Sequence, residues 1–182
     1  MKKLLFTLLC ALPLLTGAQN APEGFWGLDY YMGQYTVKEL IKARTGKLPE
    51  EGSGPTVIGY KNVVFAGHKA SFVQLMFHSN QLYGGDIVIA PEPSELLPTY
   101  NAIVSGIAAR YSGPTIGGTY SGEVGSSVPI SSVWAFSSSG KGIRNGKITA
   151  TIEDNVIRIS YRDGSIYEQL VSSADTYQQY DY

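Results

Sequence analysis

The chain has 182 residues, 16% of them charged and 43% hydrophobic, with 21 glycines and 13 tyrosines. That length fits one ordinary domain, and the composition fits a turn-rich, sheet-rich fold and excludes a disordered chain. The formal net charge of −1 argues against nucleic acid as a partner, because phosphate-backbone binding rests on clustered Lys and Arg.

Lys2-Lys3, an apolar run from Leu4 to Leu15 and then Thr16-Gly17-Ala18 before Gln19 have the form of a secretory signal with a small-residue cleavage site. The run is too short to cross the roughly 30 Å hydrocarbon core as a helix. The expectation is a signal peptide at 1–18 and a product that is periplasmic or secreted, with no transmembrane anchor. Cys10 follows Leu8-Leu9, not the small residues of a lipid-attachment site. Cleavage leaves 164 residues with no cysteine and 12 basic against 15 acidic side chains, a net charge of −3. Disulfides and thiolate chemistry are thereby excluded from the mature chain.

The first helix is predicted over 37–45. Thr36 is placed as its N-cap, Glu39 completes a capping box, Tyr35 can staple onto Leu40, and Gly46 ends it. The hydrophobic period then switches to two, and three strands are expected near 56–66, 70–78 and 82–90. A three-residue loop at Ser79-Asn80-Gln81 puts Val73, Leu75, Phe77, Tyr83, Ile87 and Ile89 on one face; a one-residue slip would reverse every side chain.

Leu96, Leu97, Tyr100, Ile103, Val104, Ile107, Ala108 and Tyr111 recur at helical spacing, with Pro98 tolerable only in the first turn. The Gly-rich run Thr115 to Ser127 reads either as an ordered strand pair or as a loop. A strand near Ser131 to Phe136 follows, then turn signals at Asn145-Gly146, Asp154-Asn155 and Asp163-Gly164 that predict an antiparallel meander. Two-residue turns set Ile148, Ala150 and Ile152 against Tyr161, Ile159 and Ile157, with Ile166 on the same face. Thr149, Thr151, Glu153, Arg158, Ser160, Arg162, Tyr167 and Gln169 then share the opposite, polar face. Glu168 falls on the core face, as at a sheet end or after a bulge.

The expected fold is therefore α+β. It has two halves, each a helix plus an antiparallel sheet (α-βββ-like), at about 24–90 and 91–172, with the helices on one sheet face and a flexible tail at 173–182.

Catalytic spacings are missing. His68 and His78 have no third ligand at metal spacing. Gly118-Thr119-Tyr120-Ser121-Gly122 lacks the nucleophile-elbow spacing, and Gly140-Lys141-Gly142 lacks the phosphate-loop pattern. The carboxylates at Glu50-Glu51 and Glu153-Asp154 sit where turns favour them. No catalytic residue, metal site or cofactor is assigned. Arg158, Arg162, Tyr167, Gln169, Thr149 and Thr151 are the binding candidates, since Arg and Tyr recur at binding hot spots.

Phe25-Trp26-Gly27-Leu28, the following Gly33, the helix from Val37, Phe65-Ala66-Gly67, Gln81-Leu82-Tyr83 and the helix closing at Arg110-Tyr111-Ser112-Gly113-Pro114 resemble secreted proteins of unknown function from Gram-negative gut bacteria. The order of elements resembles the tandem helix-plus-sheet arrangement of the beta-lactamase inhibitor protein and of small outer-membrane assembly lipoproteins. That resemblance implies a non-enzymatic protein presenting a sheet surface to another macromolecule. The chain departs from these in having neither the lipid-accepting cysteine nor the disulfides. The functional expectation is an exported, non-catalytic binding module whose partner is a protein or an extracellular glycan; the alternative is an extracytoplasmic hydrolase. A deep pocket with convergent polar groups would favour the enzyme, and a broad sheet surface the binder.

Overall fold

The computed structural model describes residues 21–121, 130–136 and 145–170. The signal segment at 1–18 and the tail at 173–182 lie outside the described residues. A small hairpin, β1 (Gly24–Phe25) and β2 (Leu28–Asp29), leads into helix α1 (Gln34–Thr45). Three strands follow, β3 (Val57–Phe65), β4 (His68–His78) and β5 (Gln81–Ile89). A 3₁₀ turn at Pro93–Glu95 opens helix α2 (Leu96–Tyr111), and β6 (Ile130–Phe136), β7 (Gly146–Glu153) and β8 (Val156–Asp163) complete the order. The fold is α+β, as expected. The six longer strands make one antiparallel sheet in the order β3-β4-β5-β8-β7-β6, so β5 and β8 meet at its centre.

Alternation along each strand sorts the side chains. Ile58, Leu75, Gly85, Tyr161, Ile148 and Trp134 are successive cross-strand partners, as are Tyr60, Val73, Ile87, Ile159, Ala150 and Ser132. Both rows are buried. Val37 and Ile41 of α1 and Leu96, Tyr100, Ile103, Val104 and Ile107 of α2 join the same core, so the helices cover this face. Phe25 packs into the space left by Gly85 and tilts against Tyr161 with ring centroids 5.5 Å apart, which fixes the β1–β2 hairpin over the centre of the sheet.

Both sheet edges are occupied. Gly59 O and Val57 O of β3 accept from Glu50 N (2.9 Å) and Gly54 N (2.8 Å). At the other edge Val133 of β6 exchanges backbone hydrogen bonds with Ile116. Neither edge therefore presents a long bare ladder to another strand.

Three local expectations need correction. First, α1 begins at Gln34, and Thr36 and Glu39 lie exposed inside it. Its cap comes from far along the chain: Gln34 N donates to Asn80 Oδ1 at 3.1 Å. Tyr35 is 78% exposed and staples nothing. Gly46 does end the helix, at φ 69°, with its N–H on Lys42 O.

Second, β4 and β5 turn in two residues, Ser79 and Asn80 at φ 47° and 65°, pairing His78 with Gln81. A bulge at Tyr83 then restores the expected pairs Leu75 with Gly85 and Val73 with Ile87. Leu82 is consequently buried, and Tyr83 leaves the core face.

Third, the β7–β8 register is as expected, with Ile148, Ala150 and Ile152 opposite Tyr161, Ile159 and Ile157. Asp163-Gly164, however, is no hairpin turn. Asp163 Oδ1 accepts from Ile166 N at 3.2 Å, and residues 164–170 are helical. A short acidic side chain in this position satisfies an amide that a helix start leaves without a partner. Tyr167 and Gln169 thus leave the sheet. Glu168 stands exposed, accepting from Asn145 Nδ2 at 3.2 Å, and is no core-face misfit.

Of the Gly-rich run, whose form the sequence left open, residues 115–121 are held by side chains: Ser132 Oγ binds both Gly118 N and Gly118 O at 3.0 Å, and Asn101 Oδ1 accepts from Tyr120 N at 2.8 Å. The rest of that Gly-rich run, and residues 137–144, lie outside the described residues.

Candidate functional site

The sheet face opposite the helices carries its own cross-strand rows. One runs Gly59, Gln74, Asp86, Ser160, Thr149 and Val133; the next runs Lys61, Phe72, Val88, Arg158, Thr151 and Ser131. Phe72, Gln74, Met76, Val88, Thr149, Thr151 and Ser160 are half-exposed, and Arg158 is exposed. Among the described residues no helix packs on this face. Four of the expected binding residues, Thr149, Thr151, Arg158 and Arg162, lie on it. The apolar half of the same surface, Phe72, Met76 and Val88, comes from β4 and β5 and was not among them. Alternation made those positions legible, since they fall between the expected core residues; the pairing of β5 with β8 that unites the two halves was not.

Close contacts keep this surface flat. A Cβ at Gly59 would run into the Phe72 ring, so the ring lies down over the glycine. A Cβ at Gly84 would meet Arg162, whose side chain crosses that glycine to reach β5. There Arg162 Nη2 pairs with Asp86 Oδ1 at 2.7 Å, and Nη1 donates to Gly85 O (2.9 Å) and Tyr161 O (2.8 Å). Arg162 is therefore a clamp across the sheet centre, with three of its five donor hydrogens engaged there. Arg158 and Lys147 are exposed cations of this face with no carboxylate partner among the described residues.

Tyr167 is 45% exposed. From the helical stretch it acts, with Asp86, on the Tyr83 phenol, which burial first and these two groups next push up, against the lowering effect of Arg162. Gln169 is exposed on the helical stretch and away from the ladder.

A cleft of about 930 Å³ opens on the helix side, between the β1–β2 hairpin and α2. Glu23, Asp29, His68 and Arg110 line it, with Trp26, Phe65 and Tyr111 as aromatic walls and Tyr161 at its base. Burial pushes the Tyr161 phenol far above its ordinary range. Residues this distant in sequence share no motif, so nothing in their spacing announced the cleft. Glu23, Asp29 and Arg110 are exposed and His68 half-exposed. Groups tuned for acid–base or nucleophilic work are typically desolvated or closely paired; here the charges stand in solvent.

His68 begins β4 and His78 ends it, which separates them by about 30 Å at strand rise. They cannot share a metal ion or a proton. Among the described residues no three His, Cys, Asp or Glu side chains converge to hold a metal. No protein-family model, curated protein or solved structure matches the chain.

Proposed function

We propose that this is an exported, non-catalytic binding module whose sheet face opposite the helices takes another protein. The observation that carries this reading is the flat face itself: half-exposed Phe72, Met76 and Val88 lie beside Thr149, Thr151 and Arg158 on one continuous ladder. Apolar surface next to hydrogen-bonding groups and a free Arg is the composition of protein-binding patches. With both edges occupied, the face is the part of the sheet a partner would use. We read the fold as two tandem units, α1-β3-β4-β5 and α2-β6-β7-β8, joined at β5 and β8; this accords with the resemblance to inhibitor-like and assembly proteins that present a sheet.

Export is part of the proposal. Intact-mass analysis of material outside the cytoplasm is expected to show a chain starting at Gln19, and retention of Met1 would refute it. For the face, a photo-crosslinking residue is placed at Thr149 or Arg158, and at Glu39 on α1 as a control. Protein adducts in the producing cell are expected from the first two positions and not the third. Equal labelling from all three would refute the face, and binding on a glycan array that Arg158→Ala abolishes would replace the protein partner with a sugar.

A further inference from the structure

We infer that the cleft between the β1–β2 hairpin and α2 is a binding site for a short peptide with free termini. This site is separate from the sheet face, because it opens on the helix-covered side. Its volume, about 930 Å³, falls in the range of roughly 300 to 1,000 Å³ typical of small-molecule sites. Along α2 it extends from Ala102 to Arg110, eight residues or about 12 Å of helix rise, which matches three to four extended residues.

The charges define the ligand. Arg110 stands over the Tyr111 ring at 5.4 Å, and among the described residues its guanidinium has no carboxylate partner. Glu23, Asp29 and His68 likewise have no side-chain hydrogen bond or ion pair among the described residues. Charges of both signs that line one cleft without touching each other can be bridged by a molecule carrying both signs. An α-carboxylate suits the planar fork of Arg110. An α-ammonium suits the carboxylates of Glu23 and Asp29. Ile103, Ile107 and Phe65 of the lining offer apolar surface for a side chain. Gly106 leaves the α2 wall open: a Cβ there would meet nothing.

A cation in the last turn of a helix also offsets the helix dipole, so the test must separate binding from stability. The probe is the tripeptide Ala-Leu-Ala with free ends, N-acetylated or C-amidated, titrated into the mature protein and followed by calorimetry and tryptophan fluorescence. Trp134 is 1% exposed, so a fluorescence change on binding reports Trp26. Free Ala-Leu-Ala is expected to bind, and amidation to weaken it by about tenfold or more. Arg110→Ala should remove the preference for the free carboxylate, whereas Arg110→Lys should keep part of it. Gly106→Leu should abolish binding without lowering the melting temperature, because leucine is a better helix former than glycine. The inference is overturned if Ala-Leu-Ala gives no binding signal at about 5 mM, if amidation changes nothing, or if a folded Gly106→Leu binds as wild type does.

Discussion

Arg162 and Asp86 form an ion pair of 2.7 Å across the β5–β8 ladder, which among the described residues is what joins β3–β5 to β6–β8, with 18% and 16% of their side chains exposed. At that depth solvent screens the pair weakly, and either partner left alone is a half-buried charge without its counterion. The pair also holds Arg162 flat over Gly84 and so helps to shape the face on which Arg158 stands.

Arg162→Ala and Asp86→Ala are each expected to cost about 2–4 kcal/mol in urea unfolding, with coupling of at least about 1 kcal/mol in the double-mutant cycle. Arg158→Ala, four residues from Arg162 on the same strand and exposed, should cost less than about 1 kcal/mol. Equal costs for Arg158 and Arg162 would contradict the clamp.

The N-terminus of α1 provides a second test. Asn80→Gly removes the acceptor of Gln34 N while keeping the left-handed turn position at φ 65° free of strain, and should cost about 1 kcal/mol. Thr36→Ala should change stability by less than about 0.5 kcal/mol, since Thr36 is an exposed helix residue and not the cap. Chemical denaturation of the two variants side by side decides between the caps.

How far the sequence specified this arrangement depended on how local each cause was. The α2 stripe, Gly46 at φ 69° and the β7–β8 register follow from period, turn chemistry and side-chain alternation within a few residues. Thr36 failed as a cap because the competing acceptor, Asn80, arrives through tertiary folding. Tyr167 and Gln169 were misplaced because Asp163-Gly164 is compatible both with a tight turn and with a capped helix start, and the buried position of Ile166 fits either. For the site, Thr149, Thr151, Arg158 and Arg162 were legible from alternation alone. Phe72, Met76 and Val88 were legible in the same way, but joining them to those residues required knowing that β5 pairs with β8, and the cleft required bringing residues 23 and 110 together, which no local pattern encodes.

Asp163 is 1% exposed and serves two elements: Oδ1 accepts from Tyr31 Oη at 3.1 Å and from Ile166 N at 3.2 Å, while Oδ2 has no partner. Asp163→Ala is expected to destabilise by about 2–4 kcal/mol, combining a lost cap with a lost charge-assisted hydrogen bond. Asp163→Asn keeps an oxygen for Ile166 N and should cost less. Hydrogen exchange should then show earlier opening of residues 164–170 in Asp163→Ala; unchanged exchange there would refute the capping role.

The interior tyrosines set the alkaline limit of the fold. Tyr60 is fully buried with no partner for its hydroxyl, and burial pushes its phenol up to about 12. Burial first and the Asp163 carboxylate second push Tyr30 further in the same direction. In the unfolded chain these phenols ionise near pH 10. The folded state therefore holds protons that the unfolded state releases, so their stabilising effect is complete below about pH 10 and is lost as the pH rises toward the folded values. Unfolding free energy should be flat from about pH 8 to 10 and fall above it, with Tyr60 alone accounting for about 2–3 kcal/mol by pH 12. Tyr60→Phe removes a buried hydroxyl that bonds to nothing. It should leave stability at neutral pH unchanged or raise it by about 1 kcal/mol, and it should make the alkaline decline shallower. Urea unfolding at a series of pH values, with tyrosinate absorbance recorded in parallel, checks both: all 13 tyrosines ionising together in a protein that remains folded would show that burial does not hold these protons.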